Sequence, residues 1–244
     1  MARITIFTEN ILEDATVTIT GSADTGFPKA RLYDREVSLF WKKTGTEALV
    51  FNANYGSGVE VDFLAVSKHN FSGEDLTWDY SGDNFTGETE AAGWTQNDND
   101  QIIKTLSTSQ TQQYWRLTVT SMTDPKCSEI FMAKGLELNV RFDDHPLAKD
   151  KPNVLWNETI GGLDRSTKLG DDRKVRKYAI LLDQNSSEIT NFRVAMASLD
   201  NYSKKFYIKD HEGNYWMCRL MEQPQEEFIT EGHVLLNFVV IEQL

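Results

Sequence analysis

Short apolar runs that alternate with polar residues fill the first 142 residues, and they constrain the fold more than any other feature of the chain. Alternation with a period of two places the apolar side chains on one face of a β-strand. Clusters of Gly, Asn, Asp and Ser separate the runs and favour turns. Roughly eight strands of this length are typical of a double-sheet jelly roll. The strand-sized runs include residues 17–20, 48–53, 59–66, 77–81, 114–120 and 130–138.

Residues 175–244 follow a different pattern, which predicts a smaller β-domain with one packed α-helix. Ile189, Phe192 and Met196 form one apolar stripe at helical spacing, and Ser186 or Ser187 can cap that helix. A buried strand is predicted at residues 175–183, a hairpin at 206–220 around the turn 210–214, and a terminal strand at 234–241. The predicted fold class is therefore mainly β, with an N-terminal jelly-roll β-sandwich followed by this smaller domain.

A polar segment between the two patterns predicts the domain boundary. Residues 142–152 contain two of the five prolines, and proline removes a backbone donor and blocks helix continuation. Glycines at positions 161, 162 and 170 indicate an extended loop or hairpin over residues 157–172. The predicted organisation is a sandwich at residues 1–142, a linker with an extended loop at 143–174, and the small β-domain at 175–244.

The net charge of -12 excludes an ordinary nucleic-acid binder, because phosphate binding needs clustered Lys and Arg. No apolar run approaches the ~18–20 residues of a membrane span, so membrane insertion is not expected. The first residues lack the apolar core of a signal peptide, and the default expectation is synthesis in a reducing cytoplasm. Cys127 and Cys218 are predicted to be small buried apolar residues rather than a disulfide or a metal site.

The sequence lacks the glycine-rich phosphate-binding motifs and the nucleophile elbow of hydrolases. Its four histidines are scattered without metal-ligand spacing, which disfavours a metal-dependent hydrolase. We therefore predict a protein that is not an enzyme and that uses no cofactor and no metal.

Two acidic segments, residues 97–100 and 210–214, carry the oxygen ligands that Ca²⁺ prefers. Neither has the twelve-residue spacing of an EF-hand. Asn, Asp and Gly also tolerate the left-handed backbone of tight turns. The turn interpretation is favoured, and calcium binding stays open as the alternative.

Six tryptophans offer the remaining chemical signal, because exposed aromatic faces stack on sugar rings. Trp115 and Trp216 lie in regular strands and are predicted to be in the core or at a subunit interface. Trp78 and Trp94 lie near strand ends and are the better candidates for exposure and ligand binding.

Over residues 8–140 the chain resembles the discoidin, or galactose-binding-like, family. The motifs that carry the resemblance are residues 27–41 with their P-x-x-x-L-x-D turn and later Trp, residues 59–71 with their strand ending in a His-Asn loop, and the Tyr-Trp-Arg-Leu strand from residue 114. The resemblance implies a jelly roll, and Asp34 at the end of its turn joins Trp78 and Trp94 as a candidate ligand-binding residue. Secreted members join the domain termini by a disulfide, for which this chain has no cysteine pair.

Over residues 150–244 the chain resembles the tail-tip and distal-tail proteins of tailed bacteriophages, through residues 205–220 and 238–242. This resemblance implies a structural virion protein of the tail tip, distal tail or baseplate, assembled in the bacterial host cytoplasm. Its implied partners are other copies of itself, neighbouring tail proteins and a host-surface glycan. The alternative is a free-standing carbohydrate-binding module without catalysis, for which Trp78 or Trp94 should be exposed.

Overall fold

The computed structural model describes residues 3–21, 23–138, 147–151, 154–158, 164–168, 173–184, 186–200, 202–230 and 232–243. Within them the strands in chain order are β1 (Ile4–Phe7), β2 (Thr16–Ile19), β3 (Trp41–Lys42), β4 (Thr46–Ser67), β5 (Asp75–Ser81), β6 (Thr89–Thr95), β7 (Ile102–Thr123), β8 (Lys126–Cys127), β9 (Glu129–Ala133), β10 (Leu136–Leu138), β11 (Leu147–Lys151), β12 (Val154–Glu158), β13 (Asp164–Lys168), β14 (Arg173–Asp183), β15 (Phe206–Lys209), β16 (Tyr215–Leu220), β17 (Gln225–Thr230) and β18 (His233–Glu242). Two 3₁₀-helices, Ile11–Glu13 and Lys29–Leu32, and one α-helix, α1 (Ser187–Ala197), complete the elements of this part of the chain. The predicted mainly β fold class is confirmed.

Contacts within the chain divide it into two compact units. The sandwich unit is Glu9–Gly135, and the sheet unit combines Met1–Thr8 with Leu136–Leu244.

The sandwich unit is built on strands in the order β2-β4-β7-β5-β6, with β9 also paired to β4 and a separate pair β3-β8. Its core consists of side chains at alternate positions along these strands, as the sequence pattern predicts. Phe51 and Ala53 on β4 and Trp115 and Leu117 on β7 are all buried in one cluster. Aromatic side chains each bury about 150–250 Å², so this cluster dominates the hydrophobic stabilisation of the unit.

A register shift bends the long strand pair β4–β7. Asn54 pairs with Tyr114 and Val59 with Gln112, so residues 55–58 of β4 lie opposite a single residue of β7. Extra residues in one strand kink it and increase its twist. The part of β4 before the shift pairs with β2 and the part after it pairs with β9, so one strand joins two different sets of neighbours.

The main sheet of the sheet unit has the order β10-β1-β15-β16-β18-β14-β11, with β17 also paired to β18, and β12 and β13 form a separate pair. The helix α1 packs on one face through Ile189, Phe192 and Met196, which confirms the predicted stripe. The ring of Phe192 lies 5.7 Å from that of Phe238, which in turn stacks on Tyr178 at 5.0 Å.

The start of α1 differs in detail from its predicted cap. Ser186 is the N-cap residue, but its side chain makes no capping bond to the helix. Its hydroxyl donates instead to the carbonyl of Asp183 at 2.7 Å, which closes the turn between β14 and α1.

The predicted domain boundaries need correction at both ends of the sandwich. The prediction placed residues 1–142 in one domain, but β1 pairs with β10 and with β15 and belongs to the sheet unit. The predicted linker at residues 143–174 also contains the strand β11, which pairs with β14, whereas the hairpin of β12 and β13 agrees with the extended loop or hairpin predicted for residues 157–172. Both boundaries depend on pairing between strands that are distant in sequence. Local composition does not predict such pairing.

Both cysteines are free and buried, as predicted. Trp115 and Trp216 are buried in the cores of their units, also as predicted. Among the described residues no helix is long and apolar enough to cross a membrane.

Candidate functional site

Trp78, predicted to be an exposed ligand-binding residue, is fully buried, and that prediction is wrong. Leu76 and Trp78 share the inner face of β5, because side chains two residues apart point the same way. The Trp78 ring lies 5.3 Å from that of Trp115 in the core. A sugar therefore cannot stack on Trp78 in this structure.

Trp94 is half-buried on the edge strand β6. The ammonium of Lys104 lies 4.3 Å from the centre of its ring, and its indole Nε1 donates to Gln96 Oε1 at 3.2 Å. Burial lowers the pKa of Lys104. One face of Trp94 is thus occupied by a cation–π contact, and its role in ligand binding stays a prediction.

Asp34, the third predicted residue, is exposed. Its Oδ1 accepts from the backbone N–H of Glu36 at 2.8 Å, which is the local bond expected of Asp in a turn. No other predicted ligand-binding residue joins it there, and its role also stays a prediction.

A different group of side chains converges on the outer face of the sandwich unit. Asn52 on β4, Arg116 on β7 and Asp79 on β5 are register partners across three neighbouring strands. Asn52 and Arg116 face outward because the residues on either side of each face the core. We call this group the outer-face cluster; its members are Asn52, Asp79, Phe85, Glu88, Tyr114 and Arg116.

Arg116 is the centre of the outer-face cluster. Its Nε donates to Asn52 Oδ1 at 2.7 Å and its Nη1 to Glu88 Oε2 at 2.7 Å. Its guanidinium carbon lies 3.7 Å from the centre of the Phe85 ring. The side chain remains 25% exposed, so the stacked pair is open to solvent.

Aromatic side chains form one wall of the cluster. The rings of Phe85 and Tyr114 meet edge to face, with centres 6.1 Å apart. The Tyr114 hydroxyl accepts from Gln113 Nε2 at 3.0 Å, so its own proton is left to donate elsewhere.

The loop that carries Phe85 holds an unusual backbone conformation. Asn84 and Phe85 have φ values of 58° and 61°, in the left-handed region. A bulky residue there is an outlier that costs on the order of 1–3 kcal/mol and persists only when the surroundings fix it.

The hydroxyl of Ser81 fixes this loop. It accepts from the backbone N–H groups of Asp83 and Phe85, both at 3.1 Å, and lies 2.6 Å from Asp83 Oδ1. Asp83 Oδ1 also accepts from the N–H of Gly87 at 3.0 Å. These bonds close the loop and hold the Phe85 ring over Arg116.

The outer-face cluster is acidic in sum. Asp79 is largely buried, and burial first, then Glu88 and Glu90, raise the pKa of its carboxyl. Glu90 is the register partner of Asp79 on β6. Arg116 is thus the one basic group of the cluster beside the Asp79 and Glu88 carboxyl groups, and Glu90 lies next to Asp79, a setting that favours neutral or amine-bearing ligands over anionic ones.

The two acidic segments form turns. In the first, Asn99 Oδ1 accepts from the N–H of Ser72 at 3.1 Å and Asp98 Oδ1 from that of Asp100 at 3.0 Å. In the second, Asp210 Oδ1 accepts from the N–H groups of Glu212 and Asn214. Within the described ranges, no group of three or more His, Cys, Asp or Glu side chains could hold a metal ion.

Sequence reasoning missed the outer-face cluster because Asn52, Phe85 and Arg116 are far apart in the chain. One signal was present: Phe85 is a lone aromatic residue in a loop of Gly, Asp, Asn and Thr. Such a residue has no strand neighbours to pack against, which makes it a candidate for an exposed position that contacts a ligand.

No protein-family model matches the chain, and no curated protein gives a significant match. Solved structures similar to it include the chitosan-binding module 1 derived from a chitosanase/glucanase of Paenibacillus sp. IK-5, at 20% identity and a TM-score of 0.45 over 52% of this chain and 99% of that one. A family 32 carbohydrate-binding module of C. perfringens NanJ in complex with galactose has 15% identity and a TM-score of 0.44, covering 54% and 99%. A GH29 fucosidase of Ruminococcus gnavus in complex with fucose has 15% identity and a TM-score of 0.46, covering 53% and 27%.

Each of these likenesses covers about half of this chain. None of the three structures is described as a virion or tail protein. The assignment of residues 150–244 to a tail-assembly domain, and the location in a virion tail, stay predictions.

Proposed function

We propose that the sandwich unit is a carbohydrate-binding module without catalysis, and that it binds its glycan on the outer-face cluster. The observation that carries the proposal is the Phe85 loop, which holds an aromatic ring in a strained conformation beside a partly exposed guanidinium. Strain of this kind concentrates at ligand-binding sites, where the surrounding structure maintains it.

The chemistry of the cluster suits a sugar. Aromatic rings provide an apolar surface for the C–H face of a pyranose, as Phe85 and Tyr114 would here. Planar amide, guanidinium and carboxylate groups bind neighbouring hydroxyls in pairs, and Asn52, Arg116 and Glu88 supply one of each. The similar structures named above include a chitosan-binding module and a module in complex with galactose, and both ligands are sugars.

The charges in and around the cluster indicate which class of sugar it would bind best. The cluster holds the Asp79 and Glu88 carboxyl groups and one guanidinium, Glu90 lies beside Asp79, and the whole chain carries a net charge of -12. We therefore expect neutral or amine-bearing sugars to bind better than uronic acids or sulfated sugars.

The test is a glycan array that spans neutral, amino and acidic sugars, followed by calorimetry on the best ligand. Phe85→Ala should weaken binding by about tenfold or more, which corresponds to ~1.4 kcal/mol. The matched control is Phe228→Ala, which removes an exposed Phe ring from the other unit and should leave glycan affinity unchanged. An array without a ligand, or an affinity that Phe85→Ala does not alter, would contradict the proposal.

A tail-assembly role for the sheet unit is the second candidate. The observation that favours it is the exposed apolar pair Phe228 and Ile229 on strand β17, which is a surface suited to assembly. The test is detection of the protein in purified virions, and its absence there would remove this candidate without affecting the first.

A further inference from the structure

One row of side chains crosses the main sheet of the sandwich unit from edge to edge. Register partners on neighbouring antiparallel strands lie on the same face of a sheet. Thr18 on β2 pairs with Asn52 on β4, and Asn52 pairs with Arg116 on β7. Beyond Arg116 the row continues to Asp79 on β5 and Glu90 on β6. We call these five residues the polar row; it extends the outer-face cluster by one strand at each end.

Thr18 is the exposed end of the polar row on the edge strand β2. Its neighbours Val17 and Ile19 contact the core, which leaves the Thr18 side chain on the outer face. Neighbouring strands are about 4.8 Å apart, so roughly 10 Å separates the backbone at Arg116 from that at Thr18. A ligand that contacts Phe85 and also reaches Thr18 must therefore be longer than one sugar ring.

Short side chains flank the polar row between the outer-face cluster and β2. Thr16 and Asn54 are register partners on one side of it, and Val50 and Thr118 are register partners on the other. All four face outward, because each lies two residues from a member of the row on the same strand. None carries an aromatic ring or a long charged side chain, so a ligand chain can lie along the row towards β2.

A cavity of about 400 Å³ lies beside β2, where the polar row ends. Thr18 lines it together with Ile19, Gly21, Ala23 and Lys29. The Lys29 ammonium donates to the backbone carbonyl of Val17 at 2.7 Å, which holds it at the edge of the strand. An ammonium has three donors, and this bond uses one of them. The cavity thus combines the apolar side chains of Ile19 and Ala23 with donors for sugar hydroxyls from Thr18 and Lys29.

Resting on the glycan-binding function proposed above, we infer that the ligand is a linear oligosaccharide that runs across the strands. It extends from the stacked pair of Phe85 and Arg116, over Asn52, to the cavity beside β2, which is its second subsite. One sugar ring covers about as much length as one strand spacing, so a chain that fills both subsites has roughly three rings or more. Lys29 repels an amine in the second subsite, so the favoured chain is neutral rather than amine-bearing.

Calorimetry with a chain-length series of the best neutral sugar from the glycan array tests the inference. Affinity should rise by about tenfold from the monosaccharide to the tetrasaccharide, because only the longer chain fills both subsites. Thr18→Val and Lys29→Met should each weaken tetrasaccharide binding by about fivefold and leave monosaccharide affinity unchanged. The matched control is Thr105→Val, the same substitution at an exposed position of β7 far along the strand from Arg116, and it should alter neither affinity.

Lys29→Met has a second readout, which is the preference between neutral and amine-bearing tetrasaccharides. The variant lacks the cation of the second subsite, so it should bind the two ligands with more similar affinities than the wild type does. A purely structural role of Lys29 would weaken both ligands alike. Circular dichroism shows whether each variant is folded.

The measurements distinguish failure of the second subsite from failure of the proposed function. Monosaccharide binding that Phe85→Ala weakens, together with an affinity that does not rise with chain length, would overturn the extended ligand and leave the first subsite in place. Unchanged tetrasaccharide affinity in both Thr18→Val and Lys29→Met would have the same meaning. A glycan array without any ligand would remove both proposals.

Discussion

Arg116 and Phe85 form a stacked pair on the outer face of the sandwich, with the guanidinium carbon 3.7 Å from the ring centre. The two residues come from a regular strand and from a loop with left-handed backbone. The strand side chain is fixed by Asn52 and Glu88, and the loop by Ser81. A rigid polar group and a rigid ring are thereby held together before any ligand arrives, which lowers the entropic cost of binding.

The strain at Phe85 predicts an unusual order of stability. Glycine adopts a φ of 61° without a Cβ penalty, whereas alanine does not. Phe85→Gly should therefore be more stable than Phe85→Ala by roughly 0.5–1 kcal/mol, while both lose the ring. Denaturant unfolding measures the difference, and glycan titration should show the same loss for both. Equal stability of the two variants would mean that the loop is unstrained.

The burial of Trp78 predicts a large effect on stability. Trp78→Ala should lower the free energy of unfolding of the sandwich unit by about 3–5 kcal/mol, because it leaves a cavity beside Trp115. Trp94→Ala removes a half-buried ring from the edge strand and should cost less. Guanidinium denaturation followed by tryptophan fluorescence compares the two. Similar costs for both variants would contradict the inner position of Trp78.

His69 predicts a loss of stability in acid. Its Nδ1 accepts from the N–H of Phe71 at 3.1 Å and its Nε2 lies 2.7 Å from the carbonyl oxygen of Asp100, which fixes a neutral tautomer. Burial lowers the pKa of His69 below 6.5, although Asp98 and Asp100 oppose the shift. The contribution of neutral His69 to the free energy of unfolding is complete above pH 6.5. It is lost as the pH falls through the folded-state pKa of this residue.

Hydrogen exchange should show this loss first at residues 68–74 and 96–101, which His69 links. Asn at position 69 fits both hydrogen-bond partners less well. In the His69→Asn variant, the amides of these two segments should therefore exchange faster at neutral pH, and their exchange rates should depend less on acid. If the protection of these loops stays the same from pH 7 down to the lowest pH at which the protein is folded, His69 protonation does not control their stability.

Glu129 predicts a pH dependence of opposite sign. Its side chain is buried, accepting from Asn10 Nδ2 at 3.1 Å and from the N–H of Arg35 at 3.0 Å. Burial, then Asp34, raise its pKa well above 4.5. The unfolded chain ionises first, so this residue destabilises the sandwich progressively as the pH rises from 4.5 towards the folded-state pKa.

Glu129→Gln removes that ionisation and should flatten the pH dependence of unfolding above pH 4.5. The matched control is Glu60→Gln: Lys134 and then Ser109 lower the pKa of Glu60, so its contribution to stability is complete above pH 4.5, and its loss should lower the stability there without changing the slope. Unfolding titrations from pH 4 to pH 8 distinguish the two. An unchanged slope in Glu129→Gln would refute the assignment.

Local pattern predicted the local elements well. The stripe Ile189, Phe192 and Met196 located α1, and the turn residues 210–214 located the hairpin β15–β16, because both signals lie within a few residues of each other. The side-chain direction of Trp78 was missed although it follows from the same alternation that buries Leu76. The outer-face cluster joins three segments that are distant in sequence. A local sequence pattern cannot predict that their side chains meet.

The pairing of β1 with β10 gives the chain a modular character. Ile6 lies opposite Leu136, so the polypeptide leaves the sheet unit and returns to it at neighbouring positions on antiparallel strands. A tight hairpin of two residues such as Asn-Gly can join strands placed in this way. Residues 9–135 thus form an insertion between two paired strands, and a chain that lacked them, or carried another domain in their place, could keep the strand order of this sheet.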